Sequence, residues 1–213
     1  MKMIDISQPL QAEMNVWPGD TPFTYEPMMK TSDGDSVNVA KMTMSTHTGT
    51  HMDAPFHVNG KERKIDELPL DFFNGEAVVI DITDAKTITV DSIQSIPFKG
   101  VKKVLFKTTT SHGGHTYEGY PEIDPGIPPF LQQAGVHLIG VDFPSVDRLT
   151  SKELPIHHAL NKAEILIVEG LDLSKVKQGF YELYCFPLPL ADGDGSPVRA
   201  VLKDLGEAGE DKK

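Results

Sequence analysis

The sequence predicts a mixed α/β fold built as one domain over residues 1–205, followed by a frayed tail at 206–213. Three observations predict it. Many short runs either alternate apolar with polar residues or are apolar throughout, which are the two signatures of strands. Only two or three stretches carry helix signals, too few for a helical bundle. No linker, repeat or low-complexity block interrupts the 213 residues, a length that suffices for one well-packed core.

Residues 3–7 alternate and read as a short strand, which Gln8 and Pro9 end. Trp17-Pro18-Gly19-Asp20 is a turn, and Trp17 is the chain's one tryptophan. From the residues alone it reads as a core or turn-packing aromatic. Residues 36–45 alternate and form a strand that leads into a histidine-rich segment. A polar loop follows at 58–64, then a buried strand at 75–82. Residues 91–96 suggest a short helix with Asp91 as its cap, and 101–108 another strand. Ser111-His112-Gly113-Gly114-His115 reads as a flexible loop rather than a metal-binding pair.

Residues 124–133 open a helix with Pro125 in its first turn. Residues 135–142 read as a strand in which His137 is a satisfied structural histidine, and 152–160 begin a further helix. Residues 164–171 form an apolar strand ending in Glu169. A carboxylate closing such a run is either exposed at the strand end or held by a partner. Residues 181–186 and 198–202 supply the last strands.

The net charge of −11 speaks against general nucleic-acid binding, which needs a basic face. A small anionic or zwitterionic substrate remains compatible with it, because bound metal makes a site locally positive. The single cysteine, Cys185, excludes an internal disulfide and a cysteine-based zinc finger, and it reads as a buried structural thiol. No basic start followed by an apolar run marks a secretory leader, and no run approaches the ~20 apolar residues of a membrane helix. The sequence therefore predicts a cytoplasmic protein without membrane or nucleic-acid partners. No Gly-x-Ser-x-Gly elbow is present, which disfavours a serine hydrolase.

Chemistry concentrates in His47-Thr48-Gly49-Thr50-His51-Met52-Asp53-Ala54-Pro55-Phe56-His57, which holds three of the eight histidines. Imidazole nitrogens and a carboxylate oxygen are ligand types of Zn²⁺ and related ions. On a helix, Asp53 would miss the face shared by His47 and His51. On an extended segment all four residues can point one way. The threonines and Pro55 favour a strand that breaks into a loop. The spacing favours a metal site over a polar surface strand with unrelated histidines.

This segment closely resembles the His-x-Gly-Thr-His-x-Asp-x-Pro-x-His signature of the cyclase family of metal-dependent hydrolases, whose members include bacterial kynurenine formamidases (arylformamidases). The resemblance runs from Ile4-Asp5-Ile6-Ser7, through Asp142-Phe143-Pro144-Ser145-Val146-Asp147, to Asp194-Gly195-Ser196-Pro197-Val198-Arg199-Ala200. It implies a compact mixed-sheet domain of the swivelling β/β/α type and assembly as a homodimer or higher homo-oligomer. It also implies two divalent metal ions, with Zn²⁺ the first expectation and Mn²⁺ or Fe²⁺ alternatives.

Carried over residue by residue, the resemblance implies that His47 and His51 bind one ion and His157 the other. Asp53 and Glu169 lie between the two ions. The family's offset of twelve residues between histidine and glutamate selects His157 over His158 as the partner of Glu169. The resemblance further implies that His57 is the general acid/base and that Trp17 contacts an aromatic substrate. The substrate so implied is N-formyl-L-kynurenine, cleaved to L-kynurenine and formate. Alternatives are hydrolysis of a cyclic amide such as isatin, or of another small amide or ester. From a different class, the chain would be a non-catalytic metal-binding scaffold with a closed site.

Overall fold

Alternation along the central strands sorts their side chains onto the two sides of one sheet. The computed structural model describes residues 2–98, 100–108 and 117–205. The His112/His115 loop and the tail at 206–213 lie outside the described residues. In chain order the strands are β1 (Met3–Asp5), β2 (Thr24–Met29), β3 (Val39–Thr43), β4 (His51–Asp53), β5 (Asn74–Asp81), β6 (Thr87–Ile88) and β7 (Lys103–Lys107). They continue as β8 (Glu122–Ile123), β9 (Leu138–Val141), β10 (Leu166–Glu169), β11 (Gly179–Tyr184), β12 (Gly195–Pro197) and β13 (Val201–Asp204). The α-helices are α1 (Val90–Ile93), α2 (Ile127–Gln133) and α3 (Pro155–Lys162).

Among the described residues, nine strands form one sheet in the order β1-β13-β11-β5-β7-β9-β10-β4-β12. The central β5, β7, β9 and β10 are parallel neighbours, and antiparallel strands extend the sheet on both sides. On one side, Val78, Ile80, Val104, Phe106 and Ile139 pack with Ile93, Ile127, Leu131 and Leu160 of the helices. On the other, Val79, Leu105, Leu138 and Val168 pack with Ile6, Met52, Leu171 and Leu202. Strands covered on both faces read as continuous apolar runs, which is why these were visible in the sequence.

Several expectations need correction. Thr89, not Asp91, caps α1: its hydroxyl accepts the Ser92 N–H. Pro125 precedes α2, whose first turn carries Pro128 instead. The strand expected at 36–45 begins at Val39 and pairs with β2 in a separate two-stranded sheet. The strand expected to break into a loop within residues 47–57 is short: His47 precedes it in a turn, β4 holds His51 and Asp53, and a 3₁₀ turn, Pro55–His57, holds His57. Pro55 opens that 3₁₀ turn because its fixed φ suits a first helical position. His137 precedes β9, and its buried Nδ1 has no partner. Burial and the nearby Lys103 and Lys102 push its pKa down to about 4, so the ring stays neutral against Phe72. Cys185 is the buried thiol expected, pushed up to about 12 by burial, with Sγ 3.3 Å from the Phe73 carbonyl.

Candidate active site

The cluster forms where β4, β10 and the start of α3 meet. His51 of β4 stands directly opposite Glu169 of β10 in the antiparallel ladder. Residues two apart on a strand share a face, so Asp53 joins them, while Met52 and Val168 turn to the opposite core. Gly170 makes this approach feasible. Its φ is +68°, and an added Cβ would lie 2.4 Å from the Gly49 carbonyl oxygen. His157 arrives from α3, the helix packed on this face. Leu154, at the helix start, has φ +43° and makes no side-chain cap. The cap comes from Asp147 instead, whose carboxylate accepts the Ile156 and His157 N–H groups at 2.9–3.1 Å.

The structure brings together His47, His51, Asp53, His57, His157 and Glu169. His51 Nε2 lies 3.5 Å from both Asp53 Oδ1 and Glu169 Oε2. His157 Nε2 lies 3.6 Å from Asp53 Oδ2 and 3.5 Å from Glu169 Oε1. His47 Nδ1 is 3.0 Å from Asp53 Oδ1. The His57 ring centroid is 4.1 Å from that of His47 and 5.9 Å from that of His157. Glu169 is only 4% exposed and accepts the Val146 N–H at 2.8 Å, so it is not a solvated strand end.

The donor set fits a metal ion. The Gly49 carbonyl, 2.9 Å from His51 Nδ1, can only accept, so Nδ1 carries the proton. The lone pair of a neutral His51 then sits on Nε2, a buried atom without a partner, facing two carboxylate oxygens. Asp53 Oδ2 is likewise buried and without a hydrogen-bond partner. Lone pairs facing each other in a desolvated site are unfavourable unless a cation lies between them. Ligand atoms of His51, Asp53 and Glu169 lie within 4.8 Å of one another, as do those of His47, Asp53 and His57.

Electrostatics agree with a site built around concentrated negative charge. Burial alone would raise the Asp53 carboxyl, but His157 and His47 beside it hold it well below the usual range. Burial would lower His47, yet its hydrogen bonds to Asp194 and Asp53 raise it to about 10. Burial dominates at His57 and lowers its pKa.

A cavity of about 330 Å³ opens onto the cluster, lined by His47, His51, His57, His157 and Glu169. Trp17 forms part of its wall, edge-on to Tyr117 with ring centroids 5.6 Å apart. Asp20 and Lys152 line the same cavity. A larger groove of about 790 Å³ lies elsewhere, and none of the clustered histidines lines it. Sequence reasoning missed Tyr117, Asp147 and Asp194 as members of this region. Asp147 and Asp194 lie in stretches the resemblance had marked, but nothing in their residue types assigned them a task.

Residues 4–148 match the Cyclase family. The chain belongs to the cyclase family. The kynurenine formamidase of Geobacillus thermodenitrificans (strain NG80-2) is 48% identical over 204 residues, spanning 95% of this chain and 98% of that protein. The kynurenine formamidase of Bacillus anthracis is 45% identical, spanning 96% of this chain and 98% of that protein. Among solved cyclase-like structures, one described as a "predicted metal-dependent hydrolase", from Bacillus stearothermophilus, matches with a TM-score of 0.80 and 26% identity. It covers 94% of this chain and 97% of its own. Isatin hydrolase A from Labrenzia aggregata shares the fold with a TM-score of 0.81 at 24% identity, covering 94% of this chain and 93% of its own. No helix among the described residues is long and apolar enough to cross a membrane.

Proposed function

We propose that this cyclase-family chain is a metal-dependent amide hydrolase that cleaves N-formyl-L-kynurenine to L-kynurenine and formate. The observation that carries this reading is the cavity joining an aromatic wall, Trp17 against Tyr117, to the His/carboxylate cluster. Near-full-length similarity to kynurenine formamidases supports it. In this reading His47 and His51 would hold one divalent ion and His157 a second, with Asp53 and Glu169 as ligands that both could share. Zn²⁺ is the favoured metal, with Mn²⁺ the alternative. Ions bound there would supply a lowered pKa for water and positive charge for a developing oxyanion.

The chain's own groups do the rest. Trp17 offers a flat face or edge to the aryl ring. Asp20 and Lys152 line the cavity with one charge of each sign, which complements the ammonium and carboxylate of an amino-acid substrate. His57, neutral at pH 7 because burial lowers its pKa, accepts a proton from the attacking water. As the C–O bond forms and the C–N bond breaks, it returns that proton to the departing aryl amine, which leaves poorly as an anion. The exposed apolar residues of the β2–β3 hairpin, Tyr25, Met28, Val39 and Met42, support association into a homodimer. A cytoplasmic location accords with one free, buried cysteine.

The deciding experiment incubates the Zn²⁺-loaded protein with N-formyl-L-kynurenine and measures formate and L-kynurenine by mass spectrometry, with isatin in parallel. Stoichiometric release of both products is expected. Ring opening of isatin without formate release would transfer the assignment to cyclic amides. Inertness towards both, with the metal bound, would move the assignment to another small amide or ester, or to a non-catalytic scaffold.

A further inference from the structure

The stretch beginning Asp194-Gly195-Ser196 lies beyond the residues that match the family, and the proposed hydrolysis gives it no task. Its position is informative. Strand β12 pairs with β4 so that Gly195 lies opposite Asp53. Asp194 Oδ2 is 3.0 Å from His47 Nε2, while His47 Nδ1 is 3.0 Å from Asp53 Oδ1. The other two histidines that face the central carboxylates follow the same plan. His51 gives Nδ1 to the Gly49 carbonyl at 2.9 Å, and His157 gives Nδ1 to Asp147 Oδ2 at 2.7 Å. Each ring thus spends one nitrogen on an outer oxygen and directs the other inward. Metal-ligating histidines are characteristically anchored in this way, because the outer acceptor fixes both ring orientation and tautomer.

We propose that Asp194 is a positioning residue of the centre, which holds His47 with its proton on Nε2 and offers Nδ1 inward as a metal ligand. This rests on reading the cluster as a metal centre. Asp194 is itself anchored: Oδ1 accepts the Thr46 hydroxyl at 2.9 Å, and its carbonyl accepts the Ala54 N–H at 3.0 Å. Gly195 leaves room for the ring, since a Cβ there would lie 2.9 Å from His47 Cε1. His57 Nδ1 is 3.9 Å from Asp194 Oδ2, beyond hydrogen-bond range, so the carboxylate serves His47.

The test uses full-length wild type, Asp194→Ala and Asp194→Asn. Zn²⁺ affinity is measured by competition with a chromogenic chelator, and ¹⁵N NMR of the Zn²⁺-loaded proteins reports the His47 ring nitrogens. Wild type should show a protonated Nε2 and a metal-shifted Nδ1. Asp194→Ala should bind Zn²⁺ about 10–100-fold more weakly and lose the hydrogen-bonded Nε2 proton signal. Asp194→Asn retains a carbonyl acceptor and should fall between the two. Unchanged affinity in Asp194→Ala, or metal on His47 Nε2 in wild type, overturns the proposal. Should Asp194→Ala not fold, Asp194→Asn decides alone, and wild-type affinity there overturns it. A wild type that binds no Zn²⁺ would instead refute the metal-centre reading, and this proposal with it.

Discussion

His57 carries the most specific expectation among single side chains. It lines the cavity but gives no ring nitrogen to Asp53 or Glu169 at the distances His51 and His157 show. His57→Ala should keep its metal, measured by elemental analysis, while kcat falls about 10²–10⁴-fold. Loss of metal with little change in turnover per bound ion would make His57 a ligand instead. At this scale the sequence was partly readable. His47, His51, Asp53 and His57 crowd into eleven residues, so their spacing alone pointed to a shared site. His157 and Glu169 entered only through family resemblance, because a pair of adjacent histidines near a helix start and a glutamate closing a strand both have ordinary uses. Asp147 and Asp194 stayed invisible because acidic residues in turns are common, and only the distances to His157 and His47 give them meaning.

Among the elements, α3 does two things at once. Its apolar residues Ile156 and Leu160 enter the core, and the same turn delivers His157. Leu160 is 0% exposed, so Leu160→Ala should destabilise the protein by about 2–5 kcal/mol in urea unfolding. A loss under ~1 kcal/mol would mean that α3 is not seated on the sheet as described. The doubly covered strands β5, β7, β9 and β10 were legible because burial on both faces writes an uninterrupted apolar run. Strand β2 was not, since every residue of Thr24–Met29 is exposed and Pro27 interrupts it. Strand β12 is Gly-Ser-Pro, which carries no alternation and looks like a turn. The strand expected to break into a loop within residues 47–57 is only three residues long, with a turn before it and a 3₁₀ turn after it. The side chains nonetheless converge because the chain bends around the site rather than running past it.

For the whole molecule, the expectation concerns association. A two-stranded hairpin is marginal by itself, and among the described residues β2 and β3 pair only with each other while exposing Tyr25, Met28 and Met42. Sedimentation equilibrium at micromolar concentration should give about twice the chain mass, and Tyr25→Glu combined with Met28→Lys should return it to that of one chain. A wild-type monomer would remove the homodimer from the reading. Fold class was legible, whereas strand order was not, because the order depends on pairings between distant segments that periodicity does not encode.

One of those pairings bears on when the proposed centre can be completed. His47 meets Asp194 across 147 residues of chain, and the strand between them, β4, is completed by β12. During translation the first histidines leave the ribosome long before the segment that steadies them has been synthesised. In the proposed metal-centre reading, loading with cation would therefore be a late event of biogenesis, and a polypeptide ending before Asp194 would carry histidines without the carboxylate that contacts the first of them.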